Sequence, residues 1–163
     1  KRMGIDILIK SCVGLDKNLY HLDIVGVGPE YQYLKNLIEK YNLKSNIKLC
    51  GRLSDKELNN KIQNCDFTVM PTRSLEGFGI SIIDSLSLGV PVIAFDIGGM
   101  KEILFNLDSN LIINDVCEIS LRKKLEKILN DEILLPSVKD CKNYILNNYT
   151  NNFKILTNWM FTF

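Results

Sequence analysis

A short segment near the middle of the chain combines glycines with two carboxylates at a spacing that suits a ligand. Residues 76–80 read Glu-Gly-Phe-Gly-Ile and lead into a helical pattern that carries Asp84. Free backbone N–H groups and the positive end of a helix dipole form an anion site there without any cationic side chain. Asp84 follows Gly79 by about 7 Å at ~1.5 Å per residue. A carboxylate directly beside a phosphate is unfavourable, so the expected partner of Glu76 is a neutral hydrogen-bond donor such as a sugar hydroxyl.

This spacing fits a ligand that has hydroxyl groups on both sides of a phosphate, which describes a sugar nucleotide. The residues alone leave a second interpretation open. Glu76 can be an acid at a helix start and Asp84 a surface acid, with no ligand between them.

Two further turns place glycines before helical patterns. The first, Gly26-Val27-Gly28-Pro29, lets the backbone approach a ligand, although a dinucleotide fingerprint needs a third glycine where Tyr31 stands. The second joins Gly98 and Gly99 to a helix start that carries Glu102. Each turn can equally be structural, with Glu102 as an acid favoured by the helix dipole.

The elements that would position these turns alternate along the chain. Continuous apolar runs predict strands over 22–27, 47–50, 67–70, 90–95 and 110–113. Helical patterns occupy 5–13, 29–41, the segment opened by a Ser54–Glu57 capping box, 78–88, 118–129 and 138–149. Such alternation predicts an α/β fold with a doubly wound parallel sheet. In this fold, ligands bind beyond the carboxyl ends of the strands, where all three glycine turns lie.

Composition narrows the function further. The chain has 163 residues, with 20 Lys and Arg against 19 Asp and Glu, giving a net charge of +1. That length predicts one domain over 1–163, ending in an aromatic segment at 151–163. The near-zero charge argues against a nucleic-acid partner bound through bulk positive charge. The 5 Cys are scattered, which favours small buried side chains in a reducing compartment over disulfides or a metal site.

The combined motifs resemble a known family. They are Glu76-Gly-Phe-Gly-Ile-Ser-Ile-Ile-Asp84, Gly89-Val-Pro-Val-Ile-Ala94 and Gly98-Gly99-x-x-Glu102. This set looks like the C-terminal, donor-binding half of family 4 retaining glycosyltransferases, which have a Rossmann-like domain in the GT-B fold. The turns at Gly26-x-Gly28-Pro29 and Cys50-Gly51-Arg52 also fall where that family has its own.

The resemblance implies a role for each matching residue. Glu76 becomes the catalytic residue that contacts hydroxyls of the donor sugar, and Asp84 accepts from the ribose. Asp84 stands where the family has Glu, one methylene longer. The donor diphosphate is bound by Gly77, Phe78, Gly79 and Ile80, with Arg2 and Lys1 as the available cations. The vicinity of the base or donor contains Gly26, Gly28, Gly51, Arg52, Gly98, Gly99 and Glu102.

The resemblance also implies an activity: transfer from a UDP-sugar or GDP-sugar, with retention, to a glycan or lipid-linked acceptor in polysaccharide biosynthesis. No metal and no other cofactor are expected. By comparison with the family, we expect this chain to lack the acceptor-binding N-terminal domain and the first strand of this domain, and so to bind nucleotide with little turnover when isolated. A cytoplasmic location, at the inner face of the membrane, follows. Two alternatives stay open, a non-catalytic nucleotide-binding module that acts with a partner chain and an NAD-dependent enzyme.

Overall fold

The computed structural model describes residues 3–74 and 79–160, except for the side chains of 150–160. Strands and helices alternate, as the apolar pattern predicts. In chain order the elements are α1 Ile5–Ser11, β1 Leu22–Val25, α2 Tyr31–Lys40, β2 Ile47–Gly51, α3 Asp55–Gln63, β3 Thr68–Met70, α4 Ile80–Ser87, β4 Val92–Phe95, α5 Met100–Leu107, a 3₁₀ turn Ser109–Leu111, β5 Ile112–Ile113, α6 Glu118–Leu129 and α7 Val138–Met160.

All strand pairs are parallel, which confirms the predicted α/β class. β1 pairs with β2, placing Leu22 opposite Ile47, while β4 lies between β3 and β5. The predicted single sheet is observed as two sheets, of two and three strands, because no backbone pairing joins β1 to β3 within the described residues. Each of these two strands therefore has one edge without a strand partner in that part of the chain.

The core is centred on β4 and on the first helix. All four residues of β4 are buried, whereas those of β1 and β3 are only half-buried. In α1 the consecutive residues Ile7, Leu8 and Ile9 are all buried, because this helix packs against both α2 and α6. A helix that is apolar on more than one side belongs inside a domain.

Helix ends follow local chemistry, with some differences from the sequence predictions. The Ser54–Glu57 capping box is present and opens α3, as predicted. Helix α2 begins at Tyr31 rather than at the predicted Pro29, and α7 continues to Met160, beyond the predicted end at Tyr149. The predicted helix start at Phe78 lies outside the described residues.

Four of the five described strands are shorter than the apolar runs that predict them, whereas β2 extends one residue further, to Gly51. The predicted strand at 110–113 begins as a 3₁₀ turn and pairs only at Ile112–Ile113. Among residues 3–74 and 79–160, no helix is long and apolar enough to cross a membrane.

Candidate functional site

The carboxyl ends of β1 and β2 are joined through two of the predicted glycines. The N–H of Gly26 donates to the carbonyl of Gly51 at 2.8 Å. Both lie in the left-handed half of backbone space, with φ 132° and 70°, and a Cβ on either would meet open space. The left-handed backbone therefore accounts for both glycines, and the surface above them is free to receive a ligand.

The other two residues predicted near this edge also lie at the surface. The carbonyl of Gly28 accepts from the N–H of Tyr31 at 3.2 Å, which leads the chain into α2. Arg52 directly follows β2 and is exposed. Val27, between the two glycines of the turn, is 68% exposed, which is unusual for valine. The exposure of Val27 is not predicted from the sequence, although a residue between two glycines of a turn is often exposed.

The amino end of α4 has the features of an anion-binding site. Gly79 precedes the helix with φ 65° and ψ 41°, and no side chain caps it. The carbonyl of Gly79 accepts from Ile82 N at 2.8 Å and Ile83 N at 3.3 Å, which closes the first turn. The N–H groups of Ile80 and Ser81 lie ahead of these bonds, in the part of a helix that has no intrahelical acceptor. They and the helix dipole favour negative charge at this point.

Asp84 lies on the same helix, beyond its first turn, and its side chain is exposed. Partial burial of the carboxyl group nevertheless raises the pKa of Asp84 above its ordinary value. The carboxylate form is therefore less stable here than in water, and a hydrogen-bond donor from a ligand would relieve that penalty.

The turn after β4 contains the second glycine pair. Gly98 has φ 57°, and Gly99 leads into α5, with Glu102 exposed in the first turn. An ion pair between Lys101 and Asp96, with Nζ and Oδ2 2.7 Å apart, spans the turn. The sequence prediction missed this pair, although opposite charges flank the two glycines.

A third connection, also missed, lies where α1 begins. The backbone of Gly4 passes against the carbonyl of Pro71, in the loop that follows β3. In the same place Asp6 forms an ion pair with Arg73. The amino end of α1 is therefore fixed to the loop that leads towards α4.

Five of the predicted site residues, Lys1, Arg2, Glu76, Gly77 and Phe78, lie outside the described residues. His21, predicted to be structural, precedes β1 at the opposite end of the strands, with its Nε2 3.4 Å from Asp23 Oδ1. In the part of the chain that the structure describes, no group of three or more His, Cys, Asp or Glu side chains is arranged to hold a metal ion.

These residues suit the binding of a hydroxylated anion. The carboxyl ends of β1 and β2 present open glycine backbone, α4 presents N–H groups, and Asp84 and Glu102 present exposed acceptors. Backbone donors hold an anion, whereas carboxylates select neutral hydroxyl groups.

Comparison with known proteins identifies the family. The sequence model of the family described as glycosyl transferases group 1 matches residues 1–149. The chain belongs to this family. The resemblance inferred from the motifs is thereby confirmed. Among curated relatives, an uncharacterized glycosyltransferase, MJ1178, from Methanocaldococcus jannaschii is 34% identical over 131 residues, covering 80% of this chain and 36% of that protein. Protein CapJ of Staphylococcus aureus is 29% identical, covering 89% of this chain and 38% of that protein.

Solved structures show the same fold. Staphylococcus aureus TarM, solved as a point mutant with UDP bound, matches with a TM-score of 0.80 at 24% identity, covering 98% of this chain and 32% of TarM. The lipopolysaccharide outer core galactosyltransferase WaaB matches with a TM-score of 0.81 at 16% identity, covering 99% of this chain and 46% of WaaB. The chain has the Rossmann-like architecture of the C-terminal half of a GT-B glycosyltransferase. It spans less than half the length of these relatives, from 32% of TarM to 46% of WaaB.

Proposed function

We propose that this chain is the donor-binding domain of a retaining glycosyltransferase that takes its sugar from a UDP-sugar or a GDP-sugar. The observation that carries the proposal is the amino end of α4. There Gly79, in a left-handed conformation and without a side-chain cap, leads directly into helical N–H groups. Family membership indicates which ligand binds here, because glycosyltransferases of this group use nucleotide sugars.

The diphosphate of the donor binds at Gly79 and Ile80 in this proposal, with Gly77 and Phe78 completing the loop. Lys1 and Arg2 supply positive charge. Asp84 accepts hydrogen bonds from the ribose, and its exposed carboxylate with a raised pKa supports that role. The donor also lies near the Gly26–Gly51 edge, where the backbone is open.

The reaction breaks the bond between the anomeric carbon and the diphosphate oxygen, and the electron pair leaves with the diphosphate. Negative charge therefore grows where fixed N–H groups and the dipole of α4 lie, so these groups stabilise the transition state more than the ground state. Glu76 is proposed to contact the sugar hydroxyls and hold the anomeric carbon towards the acceptor. An acceptor hydroxyl then forms the new glycosidic bond on the same face of the sugar, and its proton passes to the departing diphosphate oxygen.

The acceptor is proposed to be a glycan or a lipid-linked sugar in polysaccharide biosynthesis. Two relatives support this class: a putative colanic acid biosynthesis glycosyltransferase, WcaL, and an O-antigen biosynthesis glycosyltransferase, WclY, both of Escherichia coli. We propose that acceptor binding needs a second domain and that the open edges of β1 and β3 receive one further strand. On this view the isolated chain binds nucleotide with little turnover. A cytoplasmic location at the inner face of the membrane stays a prediction.

Thermal-shift and calorimetric titrations with UDP, GDP, ADP and NAD test the proposal. We expect stabilisation by UDP or GDP, because a ligand that binds only the folded state raises the unfolding temperature. The test variant is Gly79→Val, which should abolish binding. The matched control is Gly14→Ala, which lies outside the proposed site and should keep the nucleotide affinity. Stabilisation by NAD alone would overturn the proposal in favour of a dehydrogenase. If the chain is joined to an acceptor-binding domain and then binds nucleotide without transferring sugar to any acceptor, a non-catalytic module is favoured.

A further inference from the structure

A pair of oppositely charged side chains connects two elements that are far apart in the sequence. Asp6 lies in the first turn of α1, and Arg73 lies in the loop that follows β3, 67 residues later. Arg73 Nη2 donates to Asp6 Oδ1, and the two side chains are only 10% (Asp6) and 31% (Arg73) exposed. An ion pair in such a position is unlike a solvated surface pair, because removal of one partner leaves the other charge buried and unmatched.

The backbone reinforces the same connection. Gly4, which precedes α1, has φ 65°, and a Cβ at this residue would overlap the carbonyl oxygen of Pro71. The same Cβ would also lie 3.4 Å from Cγ of Arg73. Only glycine therefore lets the start of α1 come this close to the loop. Two independent contacts, one of backbone and one of side chains, hold residues 71–73 against α1.

Two buried polar atoms of this loop have no hydrogen-bond partner among the described residues. They are the hydroxyl of Thr72, which is fully buried, and the Nε of Arg73. Polar atoms that are buried without partners make a conformation costly, so a strong contact elsewhere must maintain it. The pair with Asp6 is such a contact.

Helix α1 is a suitable anchor for this contact because its other end is also fixed. Arg122, from α6, donates through Nε to the carbonyl of Ser11 at 3.2 Å and through Nη2 to that of Lys10 at 3.0 Å. These bonds satisfy carbonyls of the last turn of α1 and complement its dipole. The helix is thus fixed at its amino end by Asp6 and at its carboxyl end by Arg122.

We propose that Asp6 and Arg73 are positioning residues for the donor site. The inference rests on the proposed function. Their ion pair fixes residues 71–73 where the chain leaves β3, six residues before Gly79, and so helps to place the amino end of α4 for the diphosphate. Arg73 does not itself bind the anion, because its guanidinium group is already matched by a carboxylate. An anion that approaches the pair meets no net charge.

This proposal predicts the direction in which nucleotide affinity changes when the charge of Asp6 is removed. If Arg73 were a diphosphate ligand that Asp6 restrains, removal of the Asp6 charge would release it and strengthen nucleotide binding. If the pair positions the loop, the same change weakens binding. Asp6→Asn, which keeps the size of the side chain, separates the two cases in the full chain.

The experiment measures the affinity for UDP and GDP by calorimetry and the rate of trypsin cleavage after Arg73 by mass spectrometry. For Asp6→Asn we expect affinity to fall about tenfold, or about 1.4 kcal/mol. Cleavage between Arg73 and Ser74 should become faster, and saturating nucleotide should slow it again. Arg73→Lys keeps a charge that can pair with Asp6 and should retain most of the affinity, whereas Arg73→Gln should not.

The matched control is Arg122→Met, which loosens the other end of the same helix. It should lower thermal stability while leaving the nucleotide affinity and the cleavage after Arg73 within about twofold of wild type. Tighter binding by Asp6→Asn, or equal losses of affinity in Asp6→Asn and Arg122→Met, overturns the inference. If Asp6→Asn does not fold, Asp6→Glu supplies the same test, because its longer side chain alters the pair while Arg73 stays in place as the trypsin site, and a loss of affinity is again expected. A wild-type chain that binds no nucleotide refutes the proposed function, and the cleavage rates still test whether the pair holds the loop.

Discussion

Lys101 Nζ lies 2.7 Å from Asp96 Oδ2, so an ion pair closes the turn that carries Gly98 and Gly99. The turn follows β4 and precedes the exposed Glu102, at the edge where the donor is proposed to bind. Lys101 is half-exposed, so the pair contributes little to global stability. Its effect is local, because it restrains a backbone that two glycines would otherwise leave free.

The first prediction concerns this pair. Lys101→Met should lower the free energy of unfolding by less than ~1 kcal/mol, as for exposed ion pairs generally. It should nevertheless weaken sugar-nucleotide binding severalfold, because the turn loses its restraint. Calorimetric titration and chemical denaturation measure the two effects. Lys101→Arg, which retains the charge and the pair, should behave like wild type.

A second ion pair supplies the control for this experiment. Lys44 and Glu39 are 2.9 Å apart on an exposed surface remote from the glycine turns. Lys44→Met removes the same charge without touching the site. Equal binding by the Lys101→Met and Lys44→Met variants would show that the Lys101 pair has no role in the site.

The second prediction concerns the start of α4. Gly79→Ala forces an L-residue to adopt φ 65°, at a cost of about 1–2 kcal/mol, and its Cβ would lie 3.3 Å from Ile82 Cδ1. We expect loss of stability together with at least a tenfold loss of nucleotide affinity, because the first N–H groups of the helix are displaced. Denaturation and calorimetry check both outcomes.

Gly14 separates strain from site damage. Its φ is 91°, with nothing within 4 Å of an added Cβ, and it lies beyond the carboxyl end of α1. Gly14→Ala should therefore lose stability but keep its nucleotide affinity. If Gly79→Ala also keeps its affinity, the amino end of α4 is not the diphosphate site.

Local signals in the sequence predict the helices and strands, but they do not predict contacts between residues that are far apart in the chain. The Ser54 capping box and the bounds of α6 at Glu118–Leu129 are predicted to the residue, because caps and helical periodicity are local. The bounds of the strands agree less well, because apolar residues extend beyond the paired ones. Thus β1 ends at Val25, before the predicted residue 27, and β4 begins at Val92, after the predicted residue 90. The local sequence predicts Asp6 only as an acid in the first turn of a helix, because no residue near it in the chain indicates that Arg73 is its partner.

The site was predictable to the same degree. Gly26 and Gly98 are predicted as turn glycines, and both have positive φ. Gly51, which only the family resemblance singles out, also has positive φ, whereas Gly99, predicted together with Gly98, has φ −70°. Their clustering at strand ends follows from the parallel fold alone. The division into two sheets was not predictable from apolar runs, which indicate strands but not their neighbours.

The third prediction concerns the capping box of α3. Glu57 accepts hydrogen bonds from the hydroxyl of Ser54 at 2.6 Å and from its N–H at 2.8 Å. These bonds, that of the hydroxyl first, lower the pKa of Glu57. The folded state therefore gains stability above the unfolded-state pKa of this group and loses it as the pH falls through the lowered value.

Ser54→Ala should thus reduce stability at neutral pH and flatten its decline in acid, without a change in nucleotide affinity. No residue of α3 is buried, so its cap matters more than tertiary packing. Ser137→Ala at the start of α7 removes the two hydrogen bonds between the Ser137 hydroxyl and Asp140, but that helix carries the buried Cys141 and Ile145. Hydrogen exchange should accelerate more in α3 of the first variant than in α7 of the second.

The last prediction concerns Asp84, where function and stability oppose one another. Partial burial raises its pKa, so the folded state binds the proton more tightly than the unfolded chain does. Stability therefore decreases as the pH rises from the ordinary carboxyl range through the raised pKa, and the whole penalty is present at neutral pH.

Asp84→Asn removes that penalty. The variant should be at least as stable as wild type at pH 7, with the difference vanishing in acid, yet it should bind UDP or GDP more weakly because the ribose loses a charged acceptor. Asp84→Glu restores the acceptor on a longer arm and should bind at least as tightly as wild type. Calorimetry and denaturation at several pH values measure both quantities. Unchanged affinity in Asp84→Asn would remove this residue from the donor site, whereas lower stability at neutral pH would show that the carboxylate has a stabilising partner in the folded chain.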